Sequence, residues 1–183
     1  NAPNSTCTLG TSGCSYSDSD NRAWAAAELY KSTGEAQYET AFVKYWSMNG
    51  PFDGLYNDFI FDNSKASMAY VTTTKYYTDP TIVSKIKSAF RIVADEEYNY
   101  TYKNLYRVGY RLDVPDYIGW GAFAQSAIKS YDLIRAYIIL GDEKYLQAAQ
   151  INLDAELGSN PQYRSYITGV GSNPPQNPLH LTS

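Results

Sequence analysis

The sequence has few of the residues that carry metal and redox chemistry. It contains one histidine, His180, and two cysteines, Cys7 and Cys14, in 183 residues. No second Cys/His pair joins those two cysteines, so a zinc-type site lacks ligands. Phosphate-cradling loops and nucleophile motifs are also missing. No apolar run approaches the length of a bilayer span, which argues against a membrane partner. Lys and Arg number 15 against 19 acidic residues, for a net charge of −4 and a pI near 4.9. The basic residues are scattered rather than clustered, which argues against nucleic acid as a partner. With 44% hydrophobic and 19% charged residues the chain reads as globular rather than disordered. Its length suits one domain with a real core and not two large ones. Asn1 opens a polar stretch, so no signal peptide is read there; if one existed, it has been removed.

What the sequence has in excess is tyrosine, with 19 copies. A tyrosine pairs a flat apolar face with a polar edge, which suits sugar rings and also helix packing near solvent; packing accounts for most of them. Cys7 and Cys14 bracket "TLGTSG" in a Ser/Thr/Gly-rich loop, where free thiols have little structural use. A local disulfide is the favoured reading, and it implies an oxidising compartment; two reduced cysteines are the alternative. The glycosylation sequons at Asn4 and Asn99 point to the same compartment.

Helical periodicity dominates the rest. "SDSDNRAWAAAELYKSTG" reads as a helix capped by Asp18 or Asp20 and stopped by Gly34. Tyr38, Ala41, Phe42, Tyr45 and Trp46 mark the next helix. After the break "MNGPFDG", a third helix carries Ala66, Ala69, Tyr70, Thr73 and Tyr77 on one face. Asp79-Pro80 caps a fourth, with Ile82, Ile86, Ala89, Phe90 and Val93. Phe123, Ala127, Ile128, Tyr131, Ile134 and Ile138 define a fifth, and Tyr145, Leu146, Ala149, Leu153 and Leu157 a sixth. No convincing strand is read. The segments "LYKSTGEAQYETA" and "AYIILGDEKYLQA" align, each with Tyr four residues before a Gly that stops one helix. A repeated helix–turn–helix unit predicts an array or toroid of helical hairpins, with a compact bundle as the alternative. The expected layout is an opening loop at 1–19, two helix pairs at 20–98, an irregular connection at 99–119, a helix pair at 120–158 and a loop at 159–183. Three hairpins side by side leave two open apolar edges, which a closed ring would cover.

The chain resembles glycoside hydrolase family nine, the inverting cellulases built on an (α/α)6 barrel. "YSDSDNRAWAAAELYKSTGEAQY" is similar to the family's Trp-Ala-Ala helix ending at Thr-Gly, and "WGAF" at 120–123 to its Trp-Gly-Ser stretch. The most specific likeness is "LGSNPQYRSYITGVGSNPPQNPLHLTS". It keeps Leu157, Gly158, Asn160, Pro161, Ser165, Tyr166, Thr168, Gly169, Gly171, Pro175, Pro178 and Ser183 in register with the family pattern. The resemblance implies an all-α fold of antiparallel helical hairpins forming part of an (α/α)6 toroid. It implies that 159–183 is a substrate-cleft loop, ordered only through support from the rest of the barrel. It covers the whole chain but about half of a family domain. The catalytic Asp and Glu fall in family segments not found here, so the remainder of the catalytic domain is an expected partner, alongside a polysaccharide substrate. No cofactor is expected; calcium is implied by the resemblance alone, with no calcium loop in the sequence.

There are departures. Leu179 and Leu181 stand where the family has His and Arg around His180, and Ala124 where many bacterial members have Arg. Leucine cannot hydrogen-bond a sugar. By family position Trp120 is a stacking platform for a glucose ring, and His180 a contact to sugar hydroxyls. Trp24 and Trp46 sit at helical spacing and are assigned to core packing. Tyr166 is assigned to packing the loop, Asp18 and Asp20 to capping, and "DEE" at 95–97 to a solvated helix end. The reading is part of a secreted, inverting β-1,4-glucan hydrolase, inactive in isolation. The rivals are a non-catalytic carbohydrate-binding or cell-wall protein on the same scaffold, and a structural protein of helical hairpins with Tyr-rich faces.

Overall fold

A computed structural model describes residues 6–9, 12–15, 18–49, 63–109, 125–171 and 173–176. The elements are β1 (Thr6–Leu9), β2 (Ser12–Ser15), α1 (Ser19–Thr33), α2 (Ala36–Asn49), α3 (Asn63–Val71), α4 (Pro80–Lys103), α5 (Gln125–Leu140) and α6 (Glu143–Leu157). They fall into two compact units, Asn1–Ala89 and Phe90–Ser183.

In the first unit, β1 and β2 form an antiparallel pair where no strand was expected. The pattern there is too short and too Ser/Gly-rich to show a period of two. Ala23, Ala26, Ala27 and Tyr30 bury one face of α1, and the small side chains let α2 and α3 approach it. Phe42 stacks on Tyr70 with ring centroids 4.3 Å apart. Trp46 is buried beside Phe42 and donates from Nε1 to Ser67 Oγ at 2.9 Å. The Tyr70 hydroxyl donates to Glu39 at 2.8 Å and accepts from the Asp79 N–H at 2.8 Å, tying α3 to α2 and to the start of α4. Burial first, then the Glu39 carboxylate, pushes the Tyr70 pKa well above its ordinary value, so the hydroxyl stays a donor.

Several details differ from the sequence reading. Helix α3 ends at Val71, so Thr73 and Tyr77 lie beyond it, and Tyr77 is exposed. Its main neighbour is α1, so the second expected hairpin is not a close α3–α4 pair. Trp24 is half-buried on the surface of α1, under Lys65, rather than in the core. Asp18 occupies the N-cap position of α1 without a side-chain cap bond; its carboxylate accepts from Arg22 Nε at 2.8 Å instead. Asp79 does cap α4, accepting from the Thr81 N–H at 2.7 Å, with Pro80 in the first helical position.

In the second unit, Ala94, Leu133, Ala136, Tyr145, Ala148 and Ala149 form the core between α4, α5 and α6. The α5–α6 turn repeats the construction of α1–α2. Gly34 and Gly141 both take left-handed φ values, 73° and 72°, and each N–H returns to the Tyr carbonyl four residues back, Tyr30 and Tyr137. An added Cβ on Gly34 would also meet the Tyr76 ring at 2.3 Å. Helix α4 continues to Lys103, so the first five residues of the expected 99–119 connection are helical. The buried faces of α5 and α6 differ most from expectation. Tyr131, Ile134, Ile138, Leu146, Leu153 and Leu157 are exposed, while Lys129, Asp132, Arg135, Asn152 and Glu156 are buried.

Candidate substrate-binding loop

Trp120 and His180 lie outside the described residues, as do Ala124, Leu179, Leu181 and Asn4. Asn99 is exposed on α4, two residues before Thr101, whose buried hydroxyl donates to the Glu97 carbonyl and accepts from Asn152 Nδ2. Cys7 and Cys14 are direct cross-strand partners in the β1–β2 register. Among the described residues no group of three or more His, Cys, Asp and Glu is placed to hold a metal ion. No described helix is long and apolar enough to cross a membrane.

The described part of the C-terminal loop is built from α6 outward. Asp154 O accepts the N–H groups of Gly158 and Ser159, which closes the helix. Asn160 then staples the turn. Its Nδ2 donates to Ala155 O at 2.7 Å and Arg164 O at 2.8 Å, and its Oδ1 accepts from the Gln162 N–H at 3.1 Å. Tyr166 N–H reaches back to Glu156 O at 2.8 Å. Ser165 is fully buried, and its Oγ accepts from the Ile167 N–H at 3.1 Å. Gly171, with φ 74°, crosses so closely that a Cβ would sit 3.3 Å from Ser165 Cβ. Residues 158–171 are thus tied by bonds among themselves and to α6. Tyr166 packs the loop as expected: burial, then the negative Glu156, raises its pKa and keeps its hydroxyl protonated.

The loop leaves several side chains exposed to solvent. Tyr163 is 84% exposed, with Gln162 and Arg164 exposed beside it. Asp154, Leu157, Gly158, Ser159 and Tyr163 line an open pocket of 280 Å³. Tyr163 was not singled out in the sequence, where one of 19 tyrosines carries no distinguishing signal.

The second unit also holds a buried ionic layer, which includes Glu97 from the "DEE" stretch that was expected to be a solvated helix end. Glu97 is nearly fully buried, and its Oε1 pairs with Lys129 Nζ at 2.8 Å. Asp132 lies 4.0 Å from Lys129 and 3.6 Å from Arg135. The Arg135 guanidinium stands over the rings of Phe90 and Tyr131. Asp95, by contrast, is partly exposed and bonded at 2.7 Å by both Lys144 Nζ and Tyr145 Oη. Burial works to raise its pKa, but the bonds from Lys144 and Tyr145 outweigh it and hold the carboxyl below its ordinary value.

This succession of helical hairpins with a Gly/Pro loop after the last helix defines a class. The described fold is similar to the crystal structure of a metagenome-derived glycoside hydrolase family 9 endoglucanase, with a TM-score of 0.75 and 29% identity over 88% of this chain and 29% of that one. A second endoglucanase of that family, J30, gives 0.72 at 25% identity, again over 88% of this chain and 29% of that one. The fold is therefore all-α apart from the short β pair, with antiparallel hairpins forming part of an (α/α)6 toroid. Residues 3–183 match the model of glycosyl hydrolase family 9, and the chain belongs to that family. It is 28% identical over 178 residues to a xyloglucan-specific endo-beta-1,4-glucanase of Bacteroides ovatus, covering 95% of this chain and 29% of that protein. It is 29% identical over 164 residues to endoglucanase D of Acetivibrio thermocellus, covering 88% of this chain and 25% of that protein. The chain thus spans less than a third of the length of these relatives.

Proposed function

We propose that the chain is part of the catalytic domain of a secreted, inverting glycoside hydrolase acting on β-1,4-glucan. The family match over residues 3–183 carries this reading. An Asp base would take a proton from water as that water attacks the anomeric carbon, and a Glu acid would protonate the departing oxygen. Both belong to polypeptide outside residues 1–183, which makes this chain inactive in isolation. Within the chain, Trp120 would stack on a glucose ring and His180 would bond sugar hydroxyls.

The apolar stripes of α5 and α6 favour the remainder of the catalytic domain as a partner. Tyr131, Ile134 and Ile138 share one face of α5, and Leu146 and Leu153 one face of α6, all exposed here. The cross-strand register of Cys7 and Cys14 supports a disulfide and an oxidising compartment. Exposure of Asn99 leaves room for a glycan.

The second reading is a carbohydrate-binding or cell-wall protein without catalysis on the same scaffold. Leu179 and Leu181, in place of hydrogen-bonding residues, favour it. The intact mass of the source protein after glycan removal, followed by NMR of cello-oligosaccharide products, separates the two. The proposal expects a mass well above 20.5 kDa and an α-anomer as first product. Binding without hydrolysis would establish the second reading. A mass equal to this chain would sink the hydrolase assignment.

A further inference from the structure

Tyr163 is held in a left-handed backbone conformation, φ 50°, in which a bulky side chain is strained. Such strain persists where surrounding structure over-determines it, and the Asn160 staple on both sides does this. Yet the ring it carries packs on little, being 84% exposed. A glycine would satisfy the same turn with no strain. The tyrosine is therefore costly to this fold as it stands, and its return lies in something outside it.

The pocket beside it indicates what that is. Leu157 gives one apolar wall, and the Tyr163 ring a flat exposed face. Asp154 offers a carboxylate and Ser159 a hydroxyl, both exposed, and the pocket is open to solvent. A pyranose presents the matching chemistry, with C–H faces that cover an aromatic ring and a rim of hydroxyls that donate to carboxylate and hydroxyl oxygens. An apolar polypeptide segment would leave Asp154 facing it without a donor.

We propose that Tyr163, with Asp154 and Ser159, forms an auxiliary sugar-binding subsite that takes one pyranose unit of a β-linked glucan, Tyr163 supplying the stacking face. The subsite rests on the reading of the parent protein as glucan-active. Its role is affinity for long chains, and it takes no part in bond cleavage.

The test uses the parent protein, its Tyr163→Gly and Tyr163→Phe variants, and cellohexaose as probe in isothermal titration. Tyr163→Gly is expected to weaken binding about three- to tenfold. The same variant is expected to leave the Tm unchanged or raise it by about 2 °C, because the strain is removed. Tyr163→Phe, which keeps the ring, should bind within about twofold of the parent. Unchanged affinity in Tyr163→Gly overturns the subsite while leaving glucan hydrolysis by the parent intact. A lowered Tm in that variant also overturns it, showing that Tyr163 packs under other polypeptide. A parent that neither binds nor hydrolyses cellohexaose removes the subsite and the hydrolase reading together.

Discussion

The two units bury different kinds of core. In Asn1–Ala89 the described interior is Ala, Phe, Trp, Tyr and Ile with the small hydroxyl residues Ser19, Ser64, Ser67 and Thr73 and no buried charge, and the polar tips of Trp46 and Tyr70 are satisfied. In Phe90–Ser183 the interior includes Glu97, Lys129, Asp132, Arg135 and Asn152, while six large apolar side chains of α5 and α6 stay outside. The contrast shows that helical periodicity identifies an apolar face without saying which neighbour covers it. In the first unit the covering neighbours lie within the chain. In the second, the stripe on α5 and α6 stays exposed, and the polar face turns inward where charges can pair. Desolvated charges add little net stability even when paired, but losing one partner is severe.

Substitutions can sharpen this difference. Lys129→Met should cost about 3–5 kcal/mol, because it strands the Glu97 carboxylate in the interior. Adding Glu97→Leu should recover most of that loss in urea unfolding; a double variant as unstable as the single one would show that packing, not charge pairing, matters there. Phe42→Ala should cost about 3–5 kcal/mol through a cavity against Tyr70 and Trp46, and no second substitution of a charge should rescue it.

The helix starts give a smaller contrast. Asp142 caps α6 by accepting from the Lys144 N–H at 3.1 Å, whereas the Asp18 carboxylate makes only a half-exposed ion pair with Arg22. Asp142→Ala should therefore cost about 1 kcal/mol. Asp18→Ala should cost about 0–1 kcal/mol, at the level of an exposed ion pair. Equal losses in thermal unfolding would contradict the difference in capping.

The smallest effects are in pH. Asp95 titrates below its ordinary value of 3.8, so its contribution is complete above that pH and is lost as pH falls through the folded pKa. Tyr30, Tyr70, Tyr145 and Tyr166 titrate above their ordinary 10.0. Their contribution is complete below pH 10 and declines as pH rises past it, because the unfolded chain ionises first. Absorbance of tyrosinate should show these four ionising after the exposed ones; a single transition for all tyrosines would refute their burial. Lys144→Met should weaken the acid-side effect of Asp95, which keeps its bond from Tyr145, and leave the alkaline effects of Tyr30, Tyr70 and Tyr166.

Much of the fold was legible because it depends on local rules. Gly34 and Gly141 stop their helices in the conformation that glycine alone adopts freely, and the aligned Tyr-Gly spacing reads directly as two equivalent turns. Asp79-Pro80 begins α4 as its residue types require. Ile82, Ile86, Phe90 and Val93 are all buried at the spacing that announced them. The order of the C-terminal loop was only partly legible. Asn160 and Gly171 stand in the family pattern, but the bonds and close approach within 155–171 join residues whose proximity no spacing reveals.

Residue types and their periods alone determined that the chain is helical and where the α1–α2 and α5–α6 turns fall; the family is carried by the likeness of particular motifs and by the match over residues 3–183. Tertiary structure decided which faces of α5 and α6 are covered, that Glu97 lies with Lys129 rather than in water, and that Tyr163 stands strained at a pocket. The reason is physical. A cap or a left-handed turn is a property of a few consecutive residues. Burial depends on what other segment arrives, and charges separated by 32 residues pair only once α4 and α5 are packed.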